Sequence, residues 1–328
     1  MRLPGIKTGK KFSRWVQARI LGGALILGYH RISATQDDVY EVCVSPENFA
    51  GHMEAIRKYA RPISLSKLVQ CLKQDSLAPK TVAVTFDDGY ADNLYVAKPI
   101  LEKHGIPATV FICTGYVGKE FWWDELERLV ISSRADPRAL RLQLGEIQFQ
   151  WNLLQVDLEI EDPEVRGQFR HALYHSLLSL DVEDQNHAMD AIRRWSGLSS
   201  DEGRVPRTMN EEELLQLADG GLIEIGAHTR HHPMLPGLSF ERQREEIQTN
   251  KRELEVLLGK PVTAFAYPNG RATTDAKQIV RDAGFESACT SLDDVVRPES
   301  DIYELTRFWQ KDVAVDKFMQ GLHRWMKA

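Results

Sequence analysis

The sequence is poor in cysteine and has no excess of positive charge, and each shortage excludes a class of protein. Its 328 residues include four widely spaced cysteines and no C-x-x-C pair, which does not fit a disulfide scaffold and predicts free thiols in a reducing compartment. The net charge is −6 and the isoelectric point is near 6.0. Because nucleic-acid-binding domains are usually basic, we predict no nucleic-acid partner.

Long hydrophobic runs are also missing. The apolar run 20–29 has ten residues, about half of what a transmembrane helix needs, and no small-residue cleavage site follows it. We therefore predict a cytoplasmic protein with neither a cleavable signal peptide nor a transmembrane helix. Residues 1–20 carry six basic side chains and no acidic one. They predict an amphipathic helix, which either lies on an anionic membrane surface or packs, solvated, on the domain.

The chain does have a repeated alternation of strand and helix patterns. Hydrophobic residues make up 43% of it, enough for a sizeable core. Strand candidates begin near residues 24, 62, 81, 108, 222, 262 and 286, and helix patterns separate most of them. This predicts an α/β fold in which a (β/α) barrel closes the sheet. The alternation breaks between about 121 and 207, where we predict a mixed helical insertion that forms a lid or one wall of a cleft. The predicted domain spans 21–328, after the helix of 1–20.

Two carboxylates follow the apolar stretch Thr81–Phe86. Asp87 and Asp88 stand where a buried strand ends, which is the edge at which α/β enzymes keep their chemistry. Adjacent strand residues point to opposite faces, so these two aspartates are expected in different environments. An Asp-Gly pair is also a common turn signal, and this stretch alone leaves both interpretations open.

A second cluster supplies imidazoles just after another strand candidate. In an extended chain His228 and His232 would lie about 13 Å apart, too far to share a metal ion, so a shared metal requires the segment to curl into a helical turn. An H-x-x-x-H beyond a strand end predicts a metal site, with His231 pointing elsewhere. Three further histidines, 171, 175 and 187, are expected to be surface or packing residues.

Together, Thr85-Phe86-Asp87-Asp88-Gly89-Tyr90 and His228-Thr229-Arg230-His231-His232 resemble the first two motifs of the NodB-homology polysaccharide deacetylases, carbohydrate esterase family 4. The resemblance implies a distorted (β/α)7 barrel that binds one divalent metal ion, usually Zn²⁺. It implies Asp88, His228 and His232 as the metal ligands and Asp87 as the general base. Phe265-Ala266-Tyr267-Pro268-Asn269-Gly270 partly matches a third motif and implies the backbone N–H of Asn269 as an oxyanion donor.

The sequence departs from the family pattern at two places. The arginine that opens the third motif and orients the base is missing, and we expect Arg307 to substitute for it. The usual C-terminal leucine-x-histidine of the general acid has only His323 as a poorly spaced candidate. His30 ends the first strand, which resembles the members with a circularly permuted barrel, such as poly-N-acetylglucosamine deacetylases. We therefore prefer His30 as the acid.

These residues predict a metal-dependent hydrolase that removes N-acetyl groups from amino sugars of a polysaccharide, a lipid-linked glycan or a glycan precursor. The predicted partner is thus an N-acetylated glycan, with Tyr90, Trp123 and Tyr267 as candidate contacts for sugar rings. Two alternatives stay open at this point. One is a hydrolase of non-sugar amides or imides on the same scaffold, and the other is a glycan-binding protein without catalytic activity.

Overall fold

The computed structural model describes residues 23–35, 38, 40–144, 147–151, 163–198 and 207–325. The helix predicted over 1–20 lies outside this range, and its contact with a membrane stays a prediction. None of the helices in the described ranges is long and apolar enough to cross a bilayer. The predicted cytoplasmic location is not tested by this observation.

Twelve strands are present in the described part of the chain, and eight of them form one parallel sheet. In chain order they are β1 (Leu25–Tyr29), β2 (Arg31–Ile32), β3 (Cys43–Val44), β4 (Arg61–Pro62), β5 (Thr81–Phe86), β6 (Ala108–Ile112), β7 (Arg141–Leu144), β8 (Ile147–Gln150), β9 (Ile223–Ala227), β10 (Ala264–Ala266), β11 (Ser287–Cys289) and β12 (Phe308–Trp309). The main sheet has the order β11-β10-β9-β6-β5-β1-β12, and β4 pairs with the beginning of β5.

Helices cover the sheet, and their ends follow from the sequence. They span Pro46–Tyr59, Leu65–Lys73, Lys98–His104, Trp122–Ser132, Pro163–Leu178, Val182–Ser196, Glu211–Ala218, Phe240–Leu258, Thr274–Asp282 and Val315–Trp325. Ser45, Ser64 and Ser239 cap three of them by accepting a backbone N–H with the side chain. Gly105 ends the helix Lys98–His104, and Gly259 ends the helix that Ser239 begins, both in the left-handed conformation.

The central strands are buried on both faces. Every residue of β1, β5 and β6 is buried, as expected for parallel strands that have side chains packed against them on each side. In register, Tyr29 pairs with Phe86, and Ile112 pairs with Ala227. The carboxyl ends of β1, β5, β6 and β9 therefore meet at one edge of the sheet.

The sheet curls, and a segment near the C-terminus joins its two ends. Leu305 forms a parallel bridge with Cys289 of β11, and Phe308 of β12 pairs with Leu27 of β1. The predicted distorted (β/α)7 barrel is confirmed. The sequence pattern did not predict β12, because two residues are too few to show a period.

The described residues between 121 and 207 form a separate layer. It contains the helix Trp122–Ser132, the antiparallel hairpin of β7 and β8, and the helices Pro163–Leu178 and Val182–Ser196. Its apolar side chains form their own cluster, which includes Leu126, Phe169 and Met189. Side chains of this region, among them Trp123 and Tyr174, line a cavity at the carboxyl edge of the sheet, which is described below.

Candidate active site

The two aspartates leave β5 in different directions. The Asp87 N–H still donates to the Tyr29 carbonyl at 2.9 Å, continuing the ladder with β1. Asp88 and Gly89 both have a φ of 74°, so the chain turns sharply at this point. A side chain at Gly89 would come within 2.5 Å of the Ile112 side chain, which is why the turn needs glycine. The stretch is thus a turn that also presents both carboxylates at the sheet edge.

The histidine segment after β9 is compact. Thr229 and His232 have positive φ values of 62° and 56°, and the His232 N–H donates to Thr229 Oγ1 at 3.1 Å. The His228 and His232 rings lie 4.9 Å apart. The segment therefore curls as expected, although through two left-handed residues and not through the helical turn that we predicted.

Asp88, His228 and His232 converge. One potential ligand atom from each lies within 4.8 Å of the other two. The two Nε2 atoms are 3.6 Å and 3.7 Å from Asp88 Oδ1. His228 donates from Nδ1 to the Ala266 carbonyl at 2.8 Å, which leaves Nε2 as an acceptor facing Asp88. His231 points away, and its Nδ1 lies 2.7 Å from Glu246.

The chemistry of this triad fits a divalent metal ion. Asp88 Oδ1 is buried and has no hydrogen-bond partner among the described residues, an arrangement that is costly unless a cation faces the oxygen. Burial, and then the charge of Asp87, raise the pKa of Asp88 well above its ordinary value. Burial lowers the pKa of His232 well below its ordinary value, which keeps this imidazole neutral. A carboxylate and two neutral imidazoles are ligands typical of zinc.

Asp87 is held by a buried arginine. Arg307 is 0% exposed and donates to the two oxygens of Asp87 at 2.7 Å and 2.8 Å, while its Nε donates to the Thr290 carbonyl at 2.9 Å. Burial alone would raise the pKa of Asp87, but the Arg307 charge and then His228 outweigh burial and hold this pKa below its ordinary value. Asp87 is therefore an ionised carboxylate with a fixed orientation.

His30 follows β1 and enters the same cavity. Its ring stacks on Trp309 of β12, with the ring centres 4.3 Å apart. Burial lowers the pKa of His30 to about 4, although the charge of Asp87 acts in the opposite direction. The alternative acid, His323, is exposed on the helix Val315–Trp325, and its ring lies 6.0 Å from Tyr59. Only His30 of these two lines the cavity.

A cavity of about 450 Å³ connects these groups. Most of the residues predicted for the site line it, namely His30, Asp87, Asp88, Tyr90, Trp123, His228, His232 and Asn269. Arg307 stands behind Asp87. Tyr267 requires a correction, because it is fully buried in the core and its hydroxyl donates to the Tyr303 carbonyl at 3.1 Å. Its side chain packs into the barrel core and does not line the cavity.

Sequence reasoning missed several residues of the cavity. Trp309 lies on the two-residue strand β12, which gave no pattern. Asp124 accepts a hydrogen bond from the Tyr90 hydroxyl at 2.8 Å, and burial raises its pKa to about 7. In the sequence, the position of Asp124 directly after Trp123 was the feature that could have identified it as a site residue. Tyr40 and Tyr174 come from a loop and from the insertion, so only the folded chain brings them together.

Known proteins resemble this chain in sequence and in fold. A family model described as polysaccharide deacetylase matches residues 74–133 and 191–288, on both sides of most of the insertion. The chain is 29% identical over 315 residues to a poly-beta-1,6-N-acetyl-D-glucosamine N-deacetylase of Staphylococcus aureus, covering 92% of this chain and 82% of the relative. Two solved structures share the fold. The Streptococcus pyogenes deacetylase PplD in complex with acetate has a TM-score of 0.60 at 18% identity, with coverage of 92% of this chain and 98% of that one. IcaB from Ammonifex degensii has a TM-score of 0.59 at 21% identity, with coverage of 94% and 98%.

Proposed function

The chain belongs to the polysaccharide deacetylase family, and from this premise we propose that it hydrolyses the N-acetyl groups of an amino-sugar glycan in a metal-dependent reaction. One observation carries the proposal. A convergent Asp88, His228 and His232 triad lies beside an arginine-bound Asp87 in one cavity. The S. aureus relative, whose name specifies poly-N-acetylglucosamine as its substrate, supports the substrate class.

The residues present fit one divalent metal ion, for which Zn²⁺ is the best candidate. Asp88, His228 and His232 would hold it, and the unpartnered Asp88 Oδ1 is the observation that supports this fit. When bound, such an ion polarises a carbonyl group and makes a water molecule acidic near neutral pH.

Asp87 is the proposed general base. It lies close to the triad, with its Oδ2 3.6 Å from His228 Nε2, and its carboxylate is ionised because Arg307 stabilises the charge. It would accept a proton from the attacking water. Arg307 acts as a positioning residue, since its two hydrogen bonds fix the plane of the carboxylate.

Asn269 and His30 have proposed roles toward the substrate. Asn269 has a φ of 54° in the turn after β10 and lines the cavity, and its backbone N–H is the proposed donor to the oxyanion. His30 would pass a proton to the departing amine. Because the pKa of His30 is lowered to about 4, this imidazole is neutral at pH 7, and it has to acquire that proton after the substrate binds.

The proposal is tested with zinc-loaded protein and a panel of N-acetylated glycans. We expect mass spectrometry to detect products in which hydrogen replaces an acetyl group, together with free acetate. Asp87→Asn is the matched control, and we expect it to form both at a rate reduced by about 10² or more. Hydrolysis of small cyclic amides without reaction of any glycan would favour the non-sugar hydrolase. Glycan binding by a chain that binds no metal would favour the non-catalytic binding protein.

A further inference from the structure

The cavity continues beyond the metal-ligand triad along a row of aromatic rings. Trp123 lies 5.0 Å from His232, and Trp122 lies 5.5 Å from Trp123. Tyr174 stacks on Trp122 at 5.3 Å, and Tyr40 lies 5.2 Å from Tyr174. Trp123, Tyr174 and Tyr40 all line the cavity. These three rings form an aromatic wall of the cavity, and the buried Trp122 connects Trp123 to Tyr174 from outside the lining.

Each of the two tyrosines packs against a buried side chain of the protein. The Tyr174 ring packs against Trp122 with an interplanar angle of 22°, and the buried Arg170 guanidinium lies over the Tyr40 ring at 5.4 Å. Leu178, one turn after Tyr174 on the same helix, adds an apolar side chain to the wall. The Tyr40 and Tyr174 rings are inclined to each other by 43° and, with Leu178, give the cavity an apolar aromatic surface. Such a surface suits a sugar ring, because a pyranose has an apolar face of C–H groups and a rim of hydroxyls.

The charges of the cavity favour a sugar over a nucleotide or a diphosphate. Of the described residues that line it, Lys311 alone carries a fixed positive charge, and it is paired with Glu41, whereas Asp87, Asp88 and Asp124 supply carboxyl groups. A diphosphate would meet acidic groups without an arginine or lysine cluster to bind it. The aromatic wall therefore suits an uncharged or cationic saccharide.

We propose that Tyr40 and Tyr174 form a sugar-binding subsite for a unit next to the one that is deacetylated. This proposal rests on the proposed function. Ring contacts through Trp122 and Trp123 connect Tyr174 to His232, so a sugar stacked on the two tyrosines would be a neighbour of the reacting unit. The substrate is then an oligosaccharide or polymer and not a monosaccharide or a nucleotide sugar. Both tyrosines lie outside residues 74–133 and 191–288, which the family model matches. The insertion thus contributes to chain-length preference.

The test measures kcat/KM on N-acetylglucosamine and its oligosaccharides, up to the pentasaccharide, for the full zinc-loaded chain. We expect wild type to prefer the longest substrate to the monosaccharide by about tenfold or more, since one stacked ring is worth roughly that factor. Tyr40→Ala and Tyr174→Ala should reduce this preference severalfold while leaving kcat/KM on the monosaccharide within about twofold. Tyr174→Phe should keep the preference because it keeps the ring. Tyr59→Ala, which changes a tyrosine outside the cavity, is the matched control.

Three results would overturn the subsite. They are a wild type without chain-length preference, equal losses on short and long substrates in both alanine variants, and alanine variants that retain the full preference. A wild type that deacetylates none of these glycans would instead overturn the proposed function itself. Because the Tyr40 variant changes a loop and the Tyr174 variant changes a helix, a folding defect in one leaves the other informative.

Discussion

The ion pair between Arg307 and Asp87 gives a stability prediction that the structure makes quantitative. Asp87 is 3% exposed and Arg307 is 0% exposed, and two hydrogen bonds of 2.7 Å and 2.8 Å join them. In Arg307→Met the side-chain volume is largely kept, while the charge and its hydrogen bonds are lost. The variant leaves the Asp87 carboxylate buried without its counter-ion.

The expected cost is large. Removing one partner of a buried ion pair typically destabilises a protein by about 3–5 kcal/mol, against a usual total stability of about 5–15 kcal/mol. The direction in which this stabilisation changes with pH follows from the pKa of Asp87, which folding lowers. The contribution of the Arg307–Asp87 pair to the free energy of unfolding is therefore fully present above the unfolded-state pKa of Asp87, about 3.9. It is lost as the pH falls through the lower pKa of the folded state. At pH 7 the whole effect should be visible.

A double-mutant cycle separates the pair from the other contacts of Arg307. Asp87→Leu alone leaves a buried guanidinium, whereas Asp87→Leu with Arg307→Met leaves two apolar side chains. We expect the double variant to be more stable than the sum of the single costs predicts, by about 2 kcal/mol or more, because removing both charges relieves each single defect.

Urea unfolding at pH 7 in the presence of a chelator measures these free energies without a metal contribution. Arg138→Met is the control, because Arg138 forms a similar pair with Asp136 at 2.8 Å on the surface, and exposed pairs contribute about 0–1 kcal/mol. Two results would refute the reasoning. In one, the costs of the two single variants sum to that of the double variant within about 0.5 kcal/mol. In the other, Arg307→Met destabilises the protein no more than Arg138→Met does.

Four further predictions concern the site. Asp87→Asn should keep its zinc by elemental analysis while turnover falls by about 10² or more, and unchanged turnover would remove the base assignment. Asp88→Ala should lose both zinc and activity, as the wild type should on dialysis against a chelator, and a full zinc content in the variant would contradict the ligand assignment. His30→Ala should lower kcat by about 10², whereas His323→Ala should stay within about twofold, so equal kcat values for these two variants would refute the choice of acid. Asp124 has its pKa raised to about 7, so the folded state binds its proton more tightly and the free energy of unfolding of the metal-free protein should fall as pH rises from about 4 to 7. Asp124→Asn should reduce that fall by on the order of 3 kcal/mol. Wild type and variant whose free energies of unfolding in urea change identically across this pH range would contradict the prediction.

The site residues that could be predicted well from the sequence are those identified by a pattern of neighbouring residues in the chain. Asp87 and Asp88 follow six buried strand residues, so the position of their backbone could be deduced from the pattern alone. The distance argument for His228 and His232 required the chain to curl, and it does. It could not specify the left-handed residues, since a non-glycine φ of 62° at Thr229 depends on the surrounding fold.

The residues that the sequence placed poorly depend on packing over long separations. Tyr267 belongs to a motif in which Asn269 lines the cavity, but its own ring turns into the core against Phe265 at 5.1 Å. No local pattern distinguishes these two directions at the end of a three-residue strand. Asp124 was overlooked because its pKa is perturbed only when the insertion and the barrel together bury it.

The pairing of β12 with β1, which helps to close the barrel, explains why residues from both ends of the chain share one site. Asp87 and its arginine are 220 positions apart, yet β12 pairs with β1, and β1 pairs with β5. Gly28 pairs with Trp309, and a side chain at position 28 would come within 2.8 Å of that ring. Only glycine leaves room for Trp309, on which His30 stacks. The same register places Arg307, two residues before Trp309, behind the end of β5. A single strand pairing thus positions both the proposed acid and the residue that orients the base, and a change at Gly28 should disturb both together.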